Sequence, residues 1–183
     1  MLVAALLWSS TAFADWKDER KWFAAAGEGF TKTYGGKTAF VVLETDLSGK
    51  PVDPDEVARR PGSVMIGVTC GSVLDAFRQL ALKNGEPDDY FLKAFGGVQT
   101  VTCQYAHYFK GRDKDLDVGD RVLQAGNPDD KNEPPEDCTI TFDPDKGDTI
   151  KAIHIVMNRH LYDPRWRGVV VDTALKKRFA HYR

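Results

Sequence analysis

The chain has 183 residues, of which 42% are hydrophobic and 28% charged, with 25 Lys and Arg against 27 Asp and Glu for a net charge of −2. That length fits one domain, and the composition excludes a disordered chain, a collagen, a coiled coil and a multi-span membrane protein. A near-neutral balance provides no large basic surface for nucleic acid.

Met1 to Ala14 (MLVAALLWSSTAFA) carries no charged side chain and ends in Ala12-Phe13-Ala14, the small-x-small pattern of a signal-peptidase site. The chain then turns polar with Asp15-Trp16-Lys17-Asp18-Glu19-Arg20. The apolar run is shorter than the roughly 20 residues a membrane span requires. The expectation is a signal peptide over 1–14 and a single exported domain over 15–183. That places the protein in the periplasm or outside the cell, with no stable membrane insertion after cleavage.

Asp15 is a plausible N-cap for a helix to about Phe30, with Trp16, Phe23 and Phe30 at i, i+7 and i+14, ended by Tyr34-Gly35-Gly36. Thr38 to Glu44 (TAFVVLE) reads as a strand, Leu47-Ser48-Gly49-Lys50-Pro51 as a turn, and Asp53-Pro54-Asp55-Glu56 as the start of a short helix. Ser63 to Cys70 (SVMIGVTC) reads as a second strand. The helix expected after it places Val73, Leu74, Phe77, Leu80 and Ala81 on one stripe before Asn84-Gly85. Val98 to Phe109 is a long strand candidate with Cys103, Tyr105 and His107 on one face and Thr102, Gln104 and Ala106 on the other.

Gly111 to Gly147 is polar, with Val122-Leu123 as a short strand. Cys138 to Phe142 and Ile150 to Met157 read as a hairpin, and a helix from about Val169 carries Val171, Leu175 and Phe179 on its apolar side. The fold expected is α+β: one domain, a mostly antiparallel sheet of about five strands, packed with N-terminal, central and C-terminal helices.

Charge is segregated. Gly111 to Asp148 holds 12 acids and 5 bases, a local net of −7, and Lys151 to Arg183 holds 8 bases and 2 acids, a local net of +6. Either these are solvated faces, or the molecule has an acidic and a basic lobe suited to steered association. The three cysteines, Cys70, Cys103 and Cys138, allow at most one internal bridge in an oxidising compartment.

Cys70-Gly71-Ser72 stands at the expected strand end, just before the amphipathic helix. A thiol at a helix start is pushed toward thiolate by the dipole, and nearby amides could stabilise an oxyanion. Downstream come Gly119-Asp120 and the apolar run His154-Ile155-Val156-Met157. That order resembles the papain-like NlpC/P60 and CHAP peptidoglycan hydrolases. The resemblance implies Cys70 as nucleophile, His154 as base and His160 as the orienting group. Two other readings of Cys70 stand beside it: a Cys70–Cys103 disulfide joining neighbouring strands, or a buried inert thiol.

Metal signals fail their own tests. Asp113-Lys114-Asp115-Leu116-Asp117 opens like a calcium loop, but positions six and twelve are Val118 and Gln124, where an EF-hand needs Gly and Glu. His154 and His160 lie six apart without a zinc motif. No metal and no cofactor is expected. The remaining cluster is His160-Leu161-Tyr162-Asp163-Pro164-Arg165-Trp166-Arg167, rich in the types that dominate binding hot spots. It either grips an acidic or glycan partner through Tyr162, Arg165, Trp166 and Arg167, or caps the core. The expectation carried forward is an exported, non-enzymatic binding protein, such as an inhibitor, an immunity protein or an envelope-complex subunit. Its partner would be another protein or an envelope component, and not nucleic acid. The cysteine hydrolase is the alternative.

Overall fold

The computed structural model describes residues 16–53, 66–80, 82–83, 86–106, 138–157 and 167–179. The expected signal segment, the body of the short helix opened at Asp53, the Val122-Leu123 strand and the acidic stretch from Gly111 to Glu136 lie outside the described residues. In chain order the elements are α1 (Trp16–Tyr34), β1 (Ala39–Val42), α2 (Ile66–Leu80), β2 (Leu82–Lys83), β3 (Glu86–Pro87), α3 (Asp89–Phe95), β4 (Thr100–Tyr105), β5 (Cys138–Asp143), β6 (Ala152–Met157) and α4 (Arg167–Arg178).

The first helix buries Phe23, Gly27, Phe30 and Tyr34, a stripe at i, i+4, i+7 and i+11. It runs one turn past the expected end and stops where Gly35 takes φ 79°, donating its N–H to the Thr31 carbonyl at 2.7 Å. After β1 the expected turn forms around Asp46. Its buried carboxylate accepts the Ser48 and Lys50 amides at 2.8 and 3.0 Å.

Of the strand expected over 63–70, the described residues 66–70 are helical instead, the start of α2. Burial shows why. Ile66, Cys70, Val73, Leu74 and Phe77 are all 2% exposed or less, at helical spacing, while Val68 is 41% exposed. A strand burying Ile66 and Cys70 would have buried Val68 with them, since all three would share a face. β-branched content suggested a strand here; packing of a 3.6-residue stripe overrides it.

The sheet is mixed and has four strands, in the order β1-β4-β6-β5. β1 pairs parallel with β4 and β4 parallel with β6; only β5 and β6 are antiparallel. This corrects the expected mostly antiparallel, five-stranded sheet. Between β1 and β4 the chain passes through α2 and α3, a crossover that brings the next strand back in the same direction. The short link from Asp143 to Ala152 can only reverse the chain, so β5 and β6 form the expected hairpin. β2 and β3 pair separately as a two-residue ladder.

α1 lies against β1, α2 against β4 and α4 against β5, all on one face of the sheet. The core between them is aromatic. Phe95 of α3 meets Phe30, Tyr34, Phe77, Phe91, Phe142 and Phe179 at ring-centroid distances of 5.1–6.4 Å. α3 itself was not expected from the sequence. It has only seven residues, too few to show a period, and its sign is local: Asp88 caps it by accepting the Tyr90 amide at 2.9 Å.

Candidate functional site

Cys70 is the fifth residue of α2, one turn inside the helix rather than at its mouth. Its sulfur lies at disulfide distance from that of Cys103, the fourth residue of β4, with a Cα–Cα separation of 6.1 Å. Both residues are 0% exposed. The 6.1 Å spacing is within the range a relaxed bridge spans. The pair ties α2 to the sheet, helix to strand, where the sequence suggested strand to strand. Cys138 lies buried at the start of β5, outside that pair.

His154 is in the middle of β6, and its Nδ1 is 2.9 Å from the Thr102 hydroxyl. Register places it opposite Thr102 on one side and Thr141 on the other, whereas Cys103 stands opposite Ile155. Successive residues of a strand point to opposite faces, so His154 and the Cys70–Cys103 pair are separated by the thickness of the sheet. The thiol–imidazole contact that the hydrolase resemblance requires is therefore not assembled: the sulfur is engaged and the imidazole faces away. His160, Tyr162, Arg165 and Trp166 lie outside the described residues, and Arg167 is the first residue of α4.

What the structure does assemble around His154 is a polar sheet face. Val41, Thr102, His154 and Thr141 form one row across all four strands. Ala39, Thr100, Ala152 and Asp143 form the row on one side of it, and Gln104, Val156 and Thr139 the row on the other. All are half-buried or exposed. Gln104 is tied down through its side-chain N–H to the Thr45 carbonyl at 3.0 Å. The alternation in TVTCQY and CTITFD signals this face. Sequence reasoning took only His154 from it, because cross-strand neighbours become neighbours only once the register is known.

Two further polar groups stand out. Glu19 of α1 is buried to 3% exposure, and its Oε2 accepts the Gly67 N–H at 2.5 Å. Burial pushes this carboxyl up to about 7, against the lowering effect of the Gly67 and Ile66 amides. Arg178, in the basic last turn of α4, lies with its guanidinium 4.9 Å over the Phe179 ring.

Among the described residues no group of three or more His, Cys, Asp and Glu side chains is placed to hold a metal ion, and no helix is long and apolar enough to cross a membrane. Comparison of the chain with protein-family models, curated proteins and solved structures finds no match.

Proposed function

We propose that this chain is an exported binding protein that acts through surface complementarity rather than chemistry, an inhibitor, immunity protein or envelope-complex subunit working in the periplasm or outside the cell. The observation that carries this reading is the withdrawal of Cys70 into a fully buried pair with Cys103. The strongest nucleophile candidate in the sequence has no thiolate to offer, and the candidate base faces the other side of the sheet. A buried bridge also suits an oxidising compartment.

The opposed charge of the 111–148 and 151–183 stretches supports association with a partner of complementary charge. Tyr162, Arg165, Trp166 and Arg167 are the contact residues proposed, because aromatic and arginine side chains combine buried area with directed hydrogen bonds.

Alkylation and intact-mass counting on the purified exported protein test the first half. Unfolded without reductant, one cysteine should take label; with reductant, all three should. Labelling of all three without reductant, fastest at Cys70 in the native state, together with muropeptide release lost in Cys70→Ala, would establish the hydrolase instead. Trp166→Ala tests the second half. It should leave the melting temperature within a few degrees of wild type and weaken capture of an envelope partner; a large loss of stability would make Trp166 a core residue.

A further inference from the structure

We propose that Glu19 makes the junction between the starts of α1 and α2 a proton-operated latch, closed while its carboxyl is neutral and loosened when it ionises. Glu19 accepts the amides of Ile66 and Gly67, the first two residues of α2, so a side chain of one helix terminates the backbone of the next. Gly67 is the residue that permits this approach, since a Cβ there would collide with the Glu19 carbonyl oxygen.

No cation among the described residues neutralises the carboxylate once it forms. Arg20, next along α1, is engaged by Glu44, and Asp18 beside it is a second negative charge that disfavours ionisation. β1 contributes no ionisable side chain. On α2 the charged pair is Asp75 and Arg78, bonded to each other at 2.9 Å more than two turns beyond Gly67. α3 meets α1 at its far end, through Phe95 and Tyr34.

Two effects then compete at a site 3% exposed. The helix amides favour the anion, while removal from water favours the neutral acid. Burial is the larger, and it carries the midpoint from the ordinary 4.5 to about 7. The sign of the linkage follows. A carboxyl whose midpoint is raised by folding contributes fully below its unfolded midpoint, and that contribution is lost as pH rises through the folded one. A displacement from 4.5 to about 7 amounts to about a 300-fold change in the ratio of closed to open junction across that window.

The junction borders exposed apolar surface: Val68, adjoining Gly67, is 41% exposed, and Trp22, one turn along α1, is 52% exposed. Proton release would therefore reshape an apolar corner of the molecule near neutral pH.

Amide hydrogen exchange on the full chain tests the latch, comparing wild type with E19Q between pH 5 and 8.5 after correction for intrinsic rates. In wild type the protection of Ile66 and Gly67 should fall by tenfold or more between pH 5 and 7 and level off above that, while E19Q should stay flat. Parallel profiles in the two proteins would overturn the proposal. Should E19Q fail to fold, wild type alone decides: protection of Ile66 and Gly67 that falls as pH rises toward the carbon-detected midpoint of the Glu19 carboxyl upholds the latch, and protection that stays flat up to that midpoint, or a midpoint near 4.5, removes it.

Discussion

Along β4, β6 and β5 the two faces of the sheet share their strands and differ in nearly everything else. Toward the helices point Val101, Cys103, Tyr105, Ile140, Phe142, Ile153, Ile155 and Met157, none more than 8% exposed. Away from them point Thr100, Thr102, Gln104, Thr139, Thr141, Ala152, His154 and Val156, half-buried or exposed, mostly small or hydroxyl-bearing. One face contributes hydrophobic burial and a covalent tie, and the other presents hydrogen-bonding groups. Stability should therefore concentrate on the first face, and tolerance to substitution on the second.

The largest expected effect is on the helix-covered face. Phe95→Ala removes a ring that six others pack against, and should cost about 3–5 kcal/mol in chemical denaturation. A cost under about 1 kcal/mol would mean the aromatic cluster is loosely packed. Next is Cys103→Ala. Losing a bridge that joins residues 33 apart should lower stability by about 2–4 kcal/mol under oxidising conditions. The same substitution measured with reductant present should cost much less, and equal losses in both media would mean the bridge contributes little. The smallest effect belongs to the polar face. Thr102→Val, which removes the hydroxyl bonded to His154, should change stability by no more than about 1 kcal/mol. A larger loss would show that this face is structural and would erase the contrast.

Much of this asymmetry is legible in the sequence. The alternation in β4 sorts Cys103 and Tyr105 from Thr102 and Gln104, as the burial of the strand bears out. The β5–β6 hairpin and the apolar stripe of α4 are legible too, because each is a local pattern repeated over several residues. The candidate site is much less so. Cys70 and His154 both occur in apolar runs, and sequence order alone sets them in one constellation; the register separates them onto opposite faces.

The miss at α2 has a different cause. Ser63 to Cys70 looks like a strand because Val and Ile favour extended backbone, yet from Ile66 onward the chain is helical. The cap of that helix is Glu19, 48 residues upstream of Gly67 and brought there by α1. A non-local cap leaves no mark in a sequence window.

By itself, then, the sequence determined the periodic elements: the apolar stripes of α1 and α4, the two-faced strands, and the reversal between β5 and β6. Those follow from spacing, which is a property of a single segment. Strand order and direction, the start of α2, the approach of Cys70 to Cys103 and the burial of a carboxyl at a helix end were decided by tertiary structure. Each depends on which distant segment lies alongside, and that choice is made by the packing of the whole core.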